Sequence, residues 1–483
     1  MYLRFVKRRF LLFWIVLYTL GAWFSTGFHH FDEHFQIIEF AQYKLGFNTA
    51  EELTWEFHER MRPALQPALA TAGLSTMRAL GLQDPFYQLF VFRWLTALLS
   101  LAAAILFYQR MAPSLTDRYK VWFWWLNLGL WALVFSRLRF SSEAWSAMAM
   151  LVGLVLVNKE RHNNKLFLGG LVLGLAFVLR FQAGAFVAGI GLWMLLIQRN
   201  TFWGLAAAFV GILAAVALGA LVDRWFYNEW VFTPWHYLDL NILQDRVSNF
   251  GVSPWYYYFT EFMAFGIPPF SVILLLLVLL YPIFYPKSSV SWSVLPFVAL
   301  HIAVGHKEAR FLFPALAFVP WMVVASIPPL LDRWPVLAPL FGKSSRRLFV
   351  VGNTLALLVI LFKPAEANMQ LYRWLYSHYA GQKVLLLGLN DIPYEHENLQ
   401  VKFYRDTLWH RQRFELDSVL PATQFEERLL LVNHALTFDS NKFERLAGEE
   451  LYRDMPAALA QFEFNGWYRR SDKWHVYRLK ASD

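Results

Sequence analysis

Runs of roughly 17–25 apolar residues recur from about residue 10 to 362 of this 483-residue chain, and then stop. Each run is long enough to cross the hydrocarbon core of a bilayer. There a backbone can satisfy its polar groups only within helices or closed barrels. The composition agrees, with 57% of residues hydrophobic and 16% charged, against about 25% charged in an average soluble protein. The runs place helices at about 10–27, 86–108, 119–136, 141–157, 165–180, 183–198, 201–222, 257–285, 291–304, 311–331 and 346–362, eleven in all. Residues 67–82 are apolar but shorter, and read as a re-entrant or interfacial helix. The chain is expected to be a polytopic helical membrane protein.

Basic residues set its orientation. Arg4, Lys7, Arg8 and Arg9 precede the first apolar run, and the bulky Phe28-His29-His30-Phe31 follows it where a cleavage site would need small residues. An uncleaved first span with its N-terminus inside is expected. Alternate links then hold Arg110, Arg118 and Lys120; Lys159, Arg161 and Lys165; Arg199; Lys287; and Arg333, Lys343, Arg346 and Arg347. Short cytoplasmic links rich in Lys and Arg follow the positive-inside rule. The net charge of +9 is thereby assigned to the membrane, not to nucleic acid. The chain has no cysteine, which excludes disulfides, thiol catalysis and Cys-based zinc sites.

The opposite face receives residues 28–85, 137–140, 180–182, 223–256 and 305–310, and the C-terminal region. Its short links hold Arg137, Arg139, Arg180, Lys307 and Arg310, against the charge rule. Four of the six residues in His306-Lys307-Glu308-Ala309-Arg310-Phe311 are ionisable, between two apolar runs. Such groups at a bilayer edge cost free energy unless they pair or meet a polar ligand. A solvated helix end or a snorkelling side chain accounts for any one arginine. Five on one face call for a shared anionic ligand, and lipid-linked phosphate or diphosphate is the natural candidate. A transporter or flippase is the alternative reading. It should carry ionisable groups or broken helices near mid-bilayer in related halves, and the charges here cluster at span ends.

Asp32 and Glu33 follow the first span almost at once. Adjacent carboxylates near a membrane can bind a metal, stabilise a positive transition state or act as a base. The alternative is that Asp32 caps a helix beginning near Glu33, with Glu39 on that helix facing water. A glycosyl transfer uses one carboxylate as base and cations for the departing phosphate, and the outer face supplies both. Trp55-Glu56, followed by Arg62, offers a ring for stacking on a sugar and a carboxylate for its hydroxyls.

After Lys363, Lys383–Gly388 and Leu429–Val432 read as buried strands and Trp474–Leu479 as an edge strand, with an amphipathic helix-like stretch at 441–461. A small α/β domain on the outer face is expected, acting as a lid or docking domain.

Together these pieces resemble the glycosyltransferase family that contains the ER mannosyltransferases of the GPI anchor and the dolichol-linked oligosaccharide. Its hallmark, His-Lys-Glu-x-Arg-Phe, stands intact at His306–Phe311. Asp32-Glu33 with Gln36 and Glu39 resembles its acidic first loop, and Thr54-Trp55-Glu56 with Arg62 resembles a further segment, with Pro63 in place of the usual serine. Ser136-Arg137 with Ser141-Ser142-Glu143 is similar to an arginine-and-glutamate turn. Asp223 to Tyr227, Phe232-Thr233-Pro234, Asn241 and Ser253 to Tyr257 are similar to a later outer loop. The resemblance covers about residues 10–330.

It implies a GT-C fold, with a transmembrane catalytic domain at 1–362 whose first outer loop is 28–85, and a C-terminal domain at 363–483. It implies inverting transfer of mannose, or another hexose, from a polyprenyl-phosphate donor to a lipid-linked or glycan acceptor. No cofactor and no catalytic metal are implied. Asp32 would be the base, with Glu33 in reserve. Lys307 and Arg310 would hold the donor phosphate with Arg62, Arg137 and Arg180, Glu308 would orient one of them, and His306 would meet sugar or phosphate. Trp55, Glu56, Gln36, Asp223 and Tyr227 would make weaker substrate contacts. The absence of cysteine and of an ER retention tail points to a bacterial inner-membrane protein with a periplasmic site; a eukaryotic member would face the ER lumen.

Overall fold

The computed structural model describes residues 2–366, 368–389, 391–393, 395–396, 399–416, 425–433, 440–455 and 473–480. The chain divides into two compact units. The first comprises Met1–Ser25, Trp55–Thr76 and Phe90–Lys363, and the second Thr26–Thr54, Met77–Leu89 and Pro364–Asp483.

The first unit is helical. Each expected apolar stretch forms helix, yet among the described residues only Pro85–Ser114, Phe202–Tyr227 and Lys343–Phe362 are singly long and apolar enough to cross a membrane. Two bent pairs join them if each counts as one span: Trp131–Arg137 with Ser142–Val157, bent by 108°, and Ala309–Leu316 with Val319–Arg333, bent by 63°. Phe10–Phe24, Asn163–Leu179, Phe181–Leu196, Phe270–Phe284 and Ser289–Ala303 are shorter apolar helices. The eleven full-length spans expected are thus not recovered as a count. One reason is local: Gly266-Ile267-Pro268-Pro269 splits the long run into Tyr257–Phe265 and Phe270–Phe284, because proline removes a donor and restricts its predecessor.

Leu213, Leu221, Leu355 and Val359 are 49–61% exposed, so two of the longest helices present bare hydrocarbon outward, as lipid-facing helices do. Inside, Phe318 meets Phe107 at 5.6 Å and Phe186 at 5.3 Å between ring centroids. The helices Asn163–Leu179 and Phe202–Tyr227 touch backbone to backbone: a Cβ at Gly170 would lie 1.9 Å from the Ala208 carbonyl oxygen, and one at Gly211 2.2 Å from that of Phe167. Small residues permit this approach where lipid supplies no hydrophobic drive between helices.

The second unit holds a five-stranded sheet: β1 (Val384–Leu389), β2 (Trp409–Phe414), β3 (Glu427–Asn433), β4 (Ala447–Arg453) and β5 (Trp474–Leu479). The order is β2-β1-β3-β5-β4, with β1 parallel to β2 and β3, and β5 antiparallel to both its neighbours. Every residue of β1 is buried, as expected of a strand with parallel neighbours on both sides. The sheet departs from expectation in two places. Trp474–Leu479 is interior, because Ala447–Arg453 pairs along its outer side. That strand lies within the stretch read as helix-like, where only Ser440–Leu446 is helical; residues 456–461 lie outside the described residues.

Candidate functional site

The residues singled out in the sequence fall into two groups, one in each unit. In the first unit the six-residue segment begins where helix Ser289–Ala303 ends, and Glu308 enters a short turn at Ala309–Leu312. Glu308 grips Arg310 with both oxygens, accepting from Nε at 2.6 Å and from Nη2 at 3.1 Å. Arg310 also donates through Nη1 to Oε1 of Glu143 at 3.2 Å, and the same oxygen accepts from Nη1 of Arg180 at 2.8 Å. Two guanidiniums thus share one carboxylate oxygen, and Glu143, Arg180 and Arg310 are only 3–7% exposed. The Phe311 ring lies 5.1 Å from the Arg180 guanidinium and 5.2 Å from that of Arg310, a cation–π arrangement.

His306 is held on both sides, Nδ1 at 2.9 Å from the Gly251 carbonyl and Nε2 at 3.1 Å from Glu308. Lys307 is buried, and its ammonium donates to the carbonyls of Val304 at 2.5 Å, Ser253 at 3.0 Å and Gly305 at 3.3 Å. Burial pushes this amine below its ordinary pKa. An ammonium has three donors, and all three are directed at backbone oxygens. Lys307 therefore ties the carbonyls just past the end of helix Ser289–Ala303 to the loop at Ser253, and a cation at that end suits the helix dipole.

Arg137 ends helix Trp131–Arg137 and donates through Nη1 to Tyr18 at 3.2 Å and to the Asn127 carbonyl. It lines a partly open pocket with Glu143, Ser100, Ser136 and Phe313. Nη2 of Arg137, and Nε and Nη2 of Arg180, are buried with no hydrogen-bond partner among the described residues. Buried guanidinium donors left without acceptors are costly, and such groups normally meet an anion or ordered water.

The outer-loop residues 55–64 are bound to the loop after Asp223. Trp55 stacks on Phe250 at 5.9 Å, and Phe250 lies 6.2 Å from the His306 ring. Glu56 accepts from Arg62 at 3.3 Å. Tyr227 donates to the Arg62 carbonyl at 2.8 Å. Asp223 uses one oxygen on the Ala64 N–H at 2.7 Å and the other on the Thr233 hydroxyl at 2.6 Å.

The second unit holds Asp32, Glu33 and Gln36, on a continuous helical stretch from Phe31 to Lys44. His30 caps it, its Nδ1 accepting from the Asp32 N–H at 3.3 Å, so Asp32 sits in the first turn and is not the cap. The Asp32 carboxylate lies 3.5 Å from His30 Nδ1 and its side chain is 25% exposed. Glu33 accepts from the His29 N–H at 3.2 Å. Gln36 is buried within a π turn spanning His34–Ile38. Glu39, read as facing water in the capping alternative, is 3% exposed.

Two polar residues were given no site role from the sequence. Glu143, the centre of the guanidinium pair, was named only within the arginine-and-glutamate turn of the family resemblance. His301 lies inside an apolar helix; its Nδ1 donates to the Phe297 carbonyl at 2.7 Å and its ring is 6.3 Å from Phe311.

Three comparisons bear on this arrangement. The family model for Alg9-like mannosyltransferases matches residues 9–385. Mannosyltransferase APTG1 of Arabidopsis thaliana is 24% identical over 64% of this chain and 56% of its own length. GPI alpha-1,2-mannosyltransferase 3 of Bos taurus is 27% identical over 59% of this chain and 53% of its own. The chain therefore spans about half the length of these curated relatives. The crystal structure of ArnT from Cupriavidus metallidurans bound to undecaprenyl phosphate superposes with a TM-score of 0.52 at 11% identity, covering 98% of this chain and 97% of that one. That likeness concerns the fold alone, and it is of the GT-C type that the motif implied. The chain belongs to the Alg9-like mannosyltransferase family.

Proposed function

We propose that this chain is a membrane glycosyltransferase that moves mannose, or another hexose, from a polyprenyl-phosphate donor to a lipid-linked or cell-envelope glycan acceptor, with inversion. An acceptor hydroxyl oxygen attacks the anomeric carbon. Its proton passes to Asp32, the bond from the anomeric carbon to the phosphate oxygen breaks, and polyprenyl phosphate leaves as an anion. Charge on that leaving group grows in the transition state, which is where fixed cations lower the barrier.

The observation that carries the reading is the set of buried guanidinium donors on Arg137 and Arg180 with no partner among the described residues, beside Arg310 in the family motif. Arginine suits phosphate because its fork of N–H groups matches phosphate oxygens. Lys307, spent on three carbonyls, has the smaller part. A bacterial inner membrane with the motif on the periplasmic side fits the distribution of Lys and Arg.

The test is turnover of radiolabelled polyprenyl-phosphate-mannose by the purified chain. Asp32→Asn is expected to lower kcat by about 10²–10⁴-fold while the protein still folds. Turnover at the wild-type rate in that variant removes Asp32 as the base. A cysteine placed at Ala309 should react with a membrane-impermeant thiol reagent from outside; labelling from the cytoplasmic side alone overturns the orientation.

A further inference from the structure

The helix that carries Asp32 is tied to the C-terminal part of the same unit at two places, one in the segment just before it and one midway along it. Six residues before Asp32, the Thr26 carbonyl accepts from the Ala365 N–H at 2.9 Å and the Glu366 N–H at 3.2 Å. The next residue, Gly27, has φ +89°, and a Cβ there would lie 2.7 Å from the Met369 side chain. Seven residues after Asp32, the buried Glu39 carboxylate is saturated. Its Oε1 accepts from His34 Nε2 at 2.8 Å, from the Lys402 N–H at 3.1 Å and from the Phe403 N–H at 3.3 Å, and its Oε2 from Asn48 at 2.6 Å. His34 is itself stacked, 5.1 Å from Phe28 and 5.4 Å from Tyr404.

The π turn makes this joint possible. Residues five apart in an α-helix point about 140° away from each other. Between His34 and Ile38 the turn widens so that the Glu39 N–H closes on the His34 carbonyl, which brings both side chains to one face. Burial alone would push the Glu39 carboxyl up, but hydrogen bonds from His34, Asn48 and the Phe403 N–H hold it below its ordinary value.

We propose that Glu39 is a positioning residue, which with the Thr26 carbonyl fixes the helix bearing Asp32 to residues 365–366 and 402–403, so that the C-terminal segment sets where the base points. The inference rests on Asp32 being the base. A helix released at either of these two places would swing its first turn, and a misplacement of about 1 Å at a reacting group costs up to about 10²-fold in rate.

Full-length Glu39→Ala, Glu39→Gln and Lys402→Ala variants separate positioning from mere folding. Glu39→Ala should lower kcat by about 10- to 100-fold with the donor KM unchanged. Glu39→Gln should recover most of that loss, since an amide oxygen still accepts from His34 and two backbone N–H groups while Asn48 turns its own oxygen inward. Lys402→Ala removes only the exposed ion pair with Glu52 and should leave kcat as it is. Unchanged kcat in Glu39→Ala overturns the proposal, and so does a loss that Glu39→Gln shares in full. A readout without turnover is amide hydrogen exchange: Glu39→Ala must raise exchange at residues 31–38 and 402–403 together. A rise confined to one segment overturns the clasp. Should Asp32→Asn retain activity, the base assignment fails by itself, and exchange still decides the clasp.

Discussion

Glu143 and Glu39 are both 3% exposed, and both spend their oxygens on several donors, yet they are different devices. Glu143 collects charge: two guanidiniums meet one oxygen, and Arg180 keeps two N–H groups with no partner among the described residues. Glu39 collects an imidazole, an amide and two backbone N–H groups, and its own needs are met. The first arrangement, with Glu308 closing the far side of Arg310, leaves buried N–H donors on Arg180 without partners among the described residues and so suits an anionic ligand. The second is closed and suits a joint. A buried carboxylate is thus identified by what surrounds it, not by its depth.

The largest effect that can break this comparison is on stability. Glu143→Ala leaves the buried Arg180 guanidinium without its carboxylate beside Arg310, which keeps Glu308, and removing one partner of a buried ion pair costs about 3–5 kcal/mol. Glu39→Ala strands mainly neutral donors and should cost about 1–3 kcal/mol. Thermal unfolding of both variants in detergent compares them, and equal losses would show that charge is not what distinguishes the two sites.

A smaller effect concerns affinity. Arg310→Ala should weaken equilibrium binding of polyprenyl phosphate by about 10- to 100-fold, the worth of hydrogen bonds to a charged group. Lys307→Ala should change it by less than about 3-fold and should instead raise hydrogen exchange around Ser253, since its ammonium is bound to carbonyls there. The reverse ranking would return the phosphate role to the lysine.

The smallest effect is on pH response. Folding favours the ionised form of Glu39, whose ordinary value is 4.5. Its contribution is complete above that pH and disappears as the pH falls through the lowered native value. Protection factors at Lys402 and Phe403, corrected for intrinsic exchange, should stay level between about pH 5 and 8 and fall only below about 4.5. Glu39→Gln should flatten that profile, and a fall that persists in the variant would assign it to another group.

The apolar runs located the helices of the first unit, because membrane-spanning helices announce themselves by length and hydropathy. They marked the link at 137–140, where the helix ending at Arg137 gives way to the one starting at Ser142, but carried the run 257–285 through the break at 266–269, where glycine and proline interrupt it. In the second unit, Lys383–Gly388 and Leu429–Val432 were legible as short apolar runs. Ala447–Arg453 was not, since the mixed residues of Ala-Gly-Glu-Glu-Leu-Tyr-Arg fit a helix face as well as an edge strand. For the site, His306–Phe311 stood out as costly charge between apolar runs. The environments of its members did not: Glu143 lies 167 positions from Arg310, and Lys402 lies 363 from Glu39. Only the capping alternative turned Glu39 toward water, and no 3.6-residue pattern contains the π turn that brings it to the side of His34.

That widened turn has a genetic consequence. An ordinary α-helix brings two side chains to one face with four positions between their numbers, where this one uses five. Loss of one codon within residues 35–38 would close the turn and still return the glutamate to the histidine's side. Gain of one codon would swing it about 100° away. An alignment would penalise both edits alike as a one-position gap, although the first keeps the joint and the second destroys it. Length variation in this short stretch is therefore directional, and a shortened homologue there should be read as intact.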